Sequence, residues 1–146
     1  MLSYTCKAAI KAVVYLSGKS SGGTKAGVKE IAEGIGASEH TVGKILQTLA
    51  RQGFVNSMKG PSGGFYITKA QQNQPVSNII ETFEGKSVFK ECGLGLSECS
   101  STHPCPIHNE YKVARELIEK IFKKKKIKDL YESVDSGAAY LIDRSR

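Results

Sequence analysis

Apolar side chains recur at three- and four-residue spacing in five parts of the chain, which indicates amphipathic helices. The first predicted helix ends near Gly18, and the last runs roughly from Asn109 to Lys126. The fourth follows Pro75 and precedes Gly85, residue types that favour the start and the end of a helix. The positions that define one face of each helix are Ala9, Ile10, Val13, Val14 and Ser17 in the first; Val28, Ile31, Ala32 and Ile35 in the second; Val42, Ile45, Leu46 and Leu49, expected to be buried, in the third; Val76, Ile79, Ile80 and Phe83 in the fourth; and Val113, Ala114, Leu117, Ile118, Ile121 and Phe122 in the fifth.

The second and third predicted helices are separated by a tight turn at residues 34–37, and Ser38 is a natural N-cap for the helix that follows. Beyond the third helix, residues 54–58 and 65–68 have the composition of two strands. The turn between them, at 59–64, reads Lys-Gly-Pro-Ser-Gly-Gly, which is typical of a hairpin. The chain is therefore predicted to be mainly α-helical with a small β-hairpin, and to form a winged helix-turn-helix.

The same pattern divides the chain into four parts. We expect a winged helix-turn-helix domain at 1–85, a loop rich in Gly, Ser, Cys and Pro at 86–108, a helical segment that ends in a short helix at 109–134, and a flexible tail at 135–146. The long helix carries a wider apolar stripe than one small domain covers. We expect this stripe to be covered by the same helix of a second copy, so that helix 109–126 forms a homodimer.

Composition and charge narrow the class of protein. The 146 residues are 40% hydrophobic and 24% charged, which is typical of a soluble globular protein. No apolar run is long enough to span a membrane, and no signal peptide is evident, so a cytoplasmic protein is expected. The net charge is +7, and residues 1–70 hold nine Lys or Arg against three acids. A half so rich in cations favours phosphate, and therefore double-stranded DNA, as its partner.

The third helix and the wing contain the candidate DNA-binding residues. With its apolar positions buried, the helix turns donors and small groups outward, which suit base edges and phosphates in the major groove. In the wing, glycines allow the backbone to approach DNA, and Lys59 can reach a phosphate or the minor groove. An ordinary polar helix face is the alternative. The candidate residues are Ser38, His40, Thr41, Gly43, Lys44, Gln47, Thr48 and Arg51 in the helix, and Lys59, Gly60, Pro61, Gly63 and Gly64 in the wing.

Three of the four cysteines, Cys92, Cys99 and Cys105, fall within fourteen residues, and His108 follows the last of them. In a reducing cytoplasm, such clustering favours metal or redox chemistry over structural disulfides. Thiolates ligate iron–sulfur clusters, and imidazole replaces thiolate at one iron in some of them. A zinc site of three cysteines and one histidine fits the same spacing. The remaining cysteine, Cys6, is expected to be a small core residue of the first helix.

Three segments of the chain resemble the Rrf2 family of bacterial winged-helix regulators: residues 28–32, residues 44–55, and the wing at 59–65, which is the most specific. The resemblance extends over residues 1–134. It implies a homodimer that binds operator DNA with the third helix and dimerises through the helix from 109.

The resemblance also favours iron over zinc, because cluster-binding members carry three cysteines in the same loop. In IscR-like members, a histidine three residues after the last cysteine completes a 2Fe-2S site, and His108 matches that position. One extra residue between Cys92 and Cys99 departs from their pattern. NsrR-like members instead hold a 4Fe-4S cluster, with a fourth ligand from the partner's first helix. This chain has Lys7 at that position, with Cys6 beside it, so 2Fe-2S is favoured and 4Fe-4S is the alternative.

A transcription regulator whose cluster senses iron–sulfur, redox or nitric-oxide status is thus implied. The alternative is a cluster-free member whose loop cysteines bind zinc or form a redox disulfide. An enzyme is not expected, because the sequence has no nucleophile–base pair, phosphate loop or substrate-pocket motif.

The third helix carries Gly43 and Lys44 where IscR-like members have Glu and Gln. The carboxylate that would exclude wrong bases is therefore missing, which predicts DNA binding that depends more on charge.

Overall fold

The computed structural model of the chain describes residues 1–143. Its elements are α1 (Tyr4–Ser21), α2 (Val28–Ile35), α3 (Glu39–Arg51), β1 (Asn56–Met58), β2 (Gly64–Tyr66), α4 (Lys69–Gln72), α5 (Val76–Glu84), α6 (His108–Lys124) and α7 (Ile127–Asp135). A mainly α-helical fold with one antiparallel hairpin confirms the predicted fold class. Of the predicted tail, residues 136–143 form turns and irregular backbone, and residues 144–146 lie outside the described range. Within that range, no helix has the length and apolar character needed to cross a membrane.

Helix α1 lies at the centre of the core, packed against α2, α3, α5 and α7. The sequence predicted a single apolar face of five residues, which underestimates the burial of α1, since nine of the eighteen residues of this helix are buried. The predicted end near Gly18 is also wrong, because the helix continues to Ser21. Tertiary contact outweighs the poor helix propensity of glycine here: the Ser20 hydroxyl accepts a hydrogen bond from the backbone N–H of Ile67 at 3.0 Å, which ties this last turn to the hairpin.

The turn between α2 and α3 has the geometry that its sequence predicts. Gly36 adopts the left-handed conformation (φ 69°), and its backbone N–H donates to the carbonyl of Ala32, which ends α2. Ser38 then caps α3 by accepting from the backbone N–H of Thr41 at 3.2 Å. The four predicted apolar positions of α3 are all buried. The two helices are therefore fixed against the core, with the polar side of α3 turned away from it.

The hairpin is shorter than predicted on both strands. Phe54 and Val55 are buried in the core and do not pair, and Thr68 caps α4 in place of extending β2. The other edge of β2 forms a backbone bridge to the segment before α2. The Ala26 N–H donates to the Phe65 carbonyl at 3.0 Å, and the Phe65 N–H donates to the Ala26 carbonyl at 2.8 Å. The wing is thus held to the segment before α2 as well as to its own partner strand.

The predicted helix at 109–126 ends two residues early, where an extended link separates α6 from α7. Two backbone hydrogen bonds fix this link beside the start of α5: Val76 N–H to the Lys125 carbonyl at 2.8 Å, and Ile127 N–H to the Gln74 carbonyl at 3.1 Å. Ile127 is fully buried. Burial of this side chain and pairing of the link replace the helical hydrogen bonds that the break gives up.

Candidate nucleic-acid interface and metal centre

Helix α3 presents a polar face on the molecular surface, opposite its buried stripe. The predicted DNA-binding residues of this helix and its cap are exposed at Ser38, His40, Lys44, Gln47 and Arg51, and partly buried at Thr41, Gly43 and Thr48. One side of α3 is therefore committed to the core, and the other side is available to a ligand.

The first turn of this polar face is held rigid. Besides capping the helix, the Ser38 hydroxyl donates to Oγ1 of Thr41 at 2.9 Å. Farther along, a Cβ added at Gly43 would meet only Val28, at an ordinary 3.9 Å. The core does not require glycine at this position, so its lack of a side chain has its effect on the outward face, which it leaves open.

The tip of the wing is free, whereas its base is tightly packed. Lys59, Gly60 and Pro61 are exposed, and Gly63 and Gly64 are partly buried. A Cβ at Gly63 would lie 2.1 Å from a backbone carbonyl oxygen of the hairpin, and Gly64 has a φ of 141°. These two glycines are thus required by the hairpin itself, as the composition of the turn indicates.

Gln71 connects the wing to the end of α3, and the sequence analysis missed it. Its Nε2 donates to the Gly53 carbonyl at 3.0 Å, while its Oε1 accepts from Asn56 Nδ2 at 2.8 Å and from the Thr68 N–H at 2.9 Å. A sequence signal was present, because Thr68 followed three residues later by Gln71 is a capping box. The side chain fixes the orientation of β1 relative to α3.

Gln71→Ala is expected to lower the free energy of unfolding by about 1–2 kcal/mol and to weaken DNA binding by up to about tenfold, because the wing loses its fixed orientation. The dependence of the DNA affinity on salt should stay unchanged, since no phosphate contact is removed. Titrations of a labelled promoter fragment at several salt concentrations measure both quantities. Gln72→Ala, one residue farther on, is the matched control. A reduced salt slope for Gln71→Ala would show that Gln71 contacts DNA directly.

The cysteine-rich loop gathers the four predicted ligands. The Sγ atoms of Cys92, Cys99 and Cys105 all lie within 4.8 Å of one another. Cys92 and Cys105 form one pair, with their sulfurs 3.6 Å apart. Cys99 forms another with His108, the first residue of α6, whose Nδ1 lies 3.1 Å from the sulfur. Three thiols and one imidazole that converge in this way could bind a metal, and the donor set fits zinc as well as an iron–sulfur cluster.

Backbone N–H groups point at the sulfurs of this loop. The N–H of Leu94 donates to Cys92 Sγ, and that of Cys105 donates to Cys99 Sγ, each at 3.4 Å. The N–H groups of Leu96 and Leu94 lower the pKa of the Cys92 thiol to about 7, whereas burial raises the pKa of Cys105. Cys92 is therefore substantially ionised at neutral pH, and the thiolate is the form that binds a metal.

Cys6 is a core residue, as predicted. It is fully buried in α1, and burial raises the pKa of its thiol to about 12. A protonated thiol enclosed in the core is unsuited to ligate a metal held by a second chain. The loop cysteines and the cysteine of α1 therefore have separate roles, although all four thiols are free in the described part of the chain.

A helix-turn-helix with a short wing and exposed cations on its outward face is the architecture of the winged-helix class of DNA-binding proteins. Comparison with known proteins specifies the family. The model of the Rrf2 family, described as an iron-dependent transcriptional regulator, matches residues 2–133. The chain belongs to this family, whose members are transcriptional regulators and not enzymes.

Relatives of known sequence and structure agree with this assignment. A protein of Aquifex aeolicus (strain VF5) described as an HTH-type transcriptional regulator is 31% identical over 132 residues, 89% of this chain and 90% of that protein. The regulator NsrR of Geobacillus kaustophilus is 26% identical over 121 residues, 82% of each chain. The structure of CymR, the global cysteine regulator of B. subtilis, superposes with a TM-score of 0.74 at 19% identity, covering 90% of this chain and 96% of that one. T. potens IscR gives 0.73 at 20% identity, covering 96% and 92%. These two structures show the shared fold.

Proposed function

We propose that this protein is a homodimeric regulator that binds operator DNA through α3 and the wing, and that its Cys/His loop holds an iron–sulfur cluster. Occupancy of the cluster would report iron–sulfur, redox or nitric-oxide status in the cytoplasm. The observation that carries the proposal is the convergence of three thiols and one imidazole at the start of α6, in a chain whose family consists of transcriptional regulators.

The DNA part of the proposal is supported by the position of exposed cations on both reading elements. Lys44 and Arg51 lie on the outward face of α3, and Lys59 lies at the tip of the wing. A recognition helix in the major groove and a wing over the adjacent backbone would place these side chains near phosphates. With Gly43 leaving the helix face open, binding should depend more on charge than on the exclusion of wrong bases.

Arg51→Ala and Lys59→Ala are each expected to reduce the slope of log affinity against log salt by about 0.9, because each variant loses one phosphate contact. Lys112→Ala, which removes an exposed cation from α6, should leave the slope unchanged. Promoter fragments titrated at several salt concentrations measure the slope. Wild-type binding that is indifferent to salt would contradict the assignment of α3 and the wing as the DNA-binding surface.

Dimerisation is supported by the exposed side of α6. Val113, Leu117 and Ile121 recur every four residues and are 60%, 59% and 55% exposed. No residue of this helix, from His108 to Lys124, is fully buried within the single chain. Covering such a stripe with the same stripe of a second copy removes apolar surface from water, and the resulting two-fold symmetry would present two recognition helices to two half-sites.

The cluster part of the proposal is supported by the number and type of donors that converge. A 2Fe-2S cluster takes four protein ligands, and imidazole can replace a thiolate among them. Three sulfurs lie within 4.8 Å of one another, and Nδ1 of His108 lies 3.1 Å from that of Cys99. The cluster would supply a redox-active group at the loop, while the backbone N–H groups that already point at the sulfurs would stabilise the bound thiolates. Four iron atoms per chain would identify the alternative 4Fe-4S form.

Anaerobic purification tests the cluster directly. The protein is expected to be red-brown, with visible absorption and two iron and two sulfide per chain. Addition of an oxidant or nitric oxide should bleach the absorption and change the affinity for the promoter fragment. Colourless protein with one zinc per chain would contradict the cluster.

A cluster-free regulator is the second candidate, and the separation of Cys92 and Cys105 suits it as well as it suits a cluster. Two thiolates bound to one tetrahedral zinc at 2.3 Å lie about 3.8 Å apart, close to the observed 3.6 Å between these sulfurs. The same proximity suits a redox disulfide: a peroxide would oxidise one thiolate to a sulfenic acid, which condenses with the other thiol and releases water. Metal analysis and free-thiol counts before and after peroxide distinguish these states from the cluster.

A further inference from the structure

Helix α6 has two stripes of side chains on different sides, an inner one that contacts the rest of the chain and an outer one that is exposed. The inner stripe comprises Tyr111, Arg115, Ile118 and Phe122, and the outer stripe comprises Val113, Leu117 and Ile121. Ile118 and Phe122 pack on the core, and the ring of Phe122 stacks on that of Phe89, with centroids 6.2 Å apart. At 100° per residue, the centre of the inner stripe lies about 130° around the helix from the centre of the outer one. One face of the helix thus contacts its own chain, and the other is exposed.

The first two residues of the inner stripe contact the cysteine loop. Arg115 donates from Nη1 to the carbonyl oxygen of Glu91 at 2.5 Å, which fixes the residue directly before Cys92. The guanidinium carbon also lies 5.8 Å from the centroid of the Tyr111 ring, within the range of a cation–π interaction. Arg115 and Tyr111 therefore support each other as well as the loop.

Tyr111 fixes the loop on the other side of the same cysteine. A Cβ added at Gly93 would lie only 2.7 Å from the Tyr111 ring, so the ring rests directly against the loop backbone and glycine is required there. Cys92 is therefore flanked by two residues, Glu91 and Gly93, that are each held to α6. Its sulfur is positioned by the helix, although the loop around it has no regular secondary structure.

The Arg115 side chain also has an unused donor. Its Nε is buried and has no hydrogen-bond partner among the described residues. Keeping such a donor buried and unpaired costs free energy. The hydrogen bond from Nη1 to the Glu91 carbonyl and the contact with the Tyr111 ring are therefore the interactions that hold this side chain in place.

We propose that Arg115 and Tyr111 form a brace that positions Cys92 for metal binding and joins the cysteine loop to the helix that carries the outer stripe. The proposal rests on the proposed metal binding by the loop, and it assigns Arg115 as a positioning residue and not as a ligand. The loop contacts and the outer stripe thus belong to one continuous helix.

Hydrogen exchange in the full-length, metal-free protein tests the brace without any metal. Arg115→Gln is expected to speed amide exchange in peptides covering residues 91–105, where N–H groups of Leu94 and Cys105 are protected by sulfur. Lys112→Gln, which removes an exposed cation beside Tyr111, should exchange as the wild type does. Arg115→Lys keeps the charge and one donor, so partial protection is expected. Equal exchange in Arg115→Gln and wild type would overturn the brace.

Anaerobic titration of the same proteins with Co²⁺ tests the consequence for metal binding. The thiolate-to-cobalt absorption should show a Kd 10–100-fold weaker for Arg115→Gln, intermediate for Arg115→Lys and unchanged for Lys112→Gln. Equal Kd values for Arg115→Gln and wild type would overturn the positioning role. Wild-type protein without thiolate-to-cobalt bands would instead overturn the proposed metal binding by the loop, and the hydrogen-exchange comparison would still decide whether the brace exists.

Discussion

Cys92→Ser is expected to remove the visible absorption of anaerobically prepared protein and to reduce its bound iron to background. The sulfur of Cys92 lies 3.6 Å from that of Cys105, and backbone N–H groups lower the pKa of its thiol to about 7, so it is readily ionised. Serine has no comparable anion at neutral pH, so the site loses a ligand outright. Cys92 is partly exposed in a loop, and the free energy of unfolding of the metal-free protein should therefore change by no more than about 0.5 kcal/mol. Absorption spectra, iron analysis and thermal melts measure the three quantities.

Cys6→Ala is the matched control, because it also removes one cysteine sulfur but removes it from the core. It should keep the full absorption while costing about 1 kcal/mol of stability through the small cavity that it leaves. His108→Ala should retain the fold with a weakened or shifted spectrum, since three of the four donors remain. Full iron content in Cys92→Ser, or loss of colour in Cys6→Ala, would contradict the assignment of the loop residues as the cluster ligands.

Leu117→Glu is expected to convert the proposed dimer into a monomer and to weaken binding to the promoter fragment by about 10²–10⁴-fold, because the second half-site would no longer be held at a high effective concentration. Leu117 is at the centre of the outer stripe and 59% exposed in the single chain. The carboxylate is therefore tolerated in the folded monomer, whereas burying it in an apolar interface carries a large desolvation cost. Sedimentation or light scattering gives the mass, and titration of the promoter fragment gives the affinity.

Lys112→Glu places the same carboxylate on an exposed position of α6, about 100° around the helix from Val113, and should leave the dimer intact. The expected cluster content of Leu117→Glu is also unchanged, since the residue lies on a different side of the helix from Tyr111 and Arg115. A Leu117→Glu protein that remains dimeric with normal operator affinity would place the interface between copies elsewhere.

The local parts of both candidate sites were predictable from the sequence. The period of apolar residues in α3 identified its polar face, and the short spacing from Cys92 to His108 identified the four donors that the structure gathers. In each case the signal is contained within about seventeen residues, so helix geometry or loop length is enough to bring the groups together. Fold class follows for the same reason, since each helix and turn has its own local pattern.

Features that depend on distant contacts were missed or misjudged. The role of Gln71 depends on Gly53 and Asn56, which lie in other elements, and its capping-box motif indicates only the local half of its contacts. The continuation of α1 past Gly18 depends on the hairpin, and the break after Lys124 depends on the segment before α5. Local propensity carries no information about partners that are brought near only by the folded core.

By itself, the sequence determined the order of helices, the wing, the polar face of α3 and the four candidate donors, because these follow from residue type and short-range spacing. Only the tertiary structure decided how closely the candidate donors approach one another, that Cys6 is separated from them by burial, and that Tyr111 and Arg115 contact the loop from α6. The physical reason is distance: a 3.6 Å separation between sulfurs, or the approach of a ring to Gly93, is set by how a loop and a helix pack on one core.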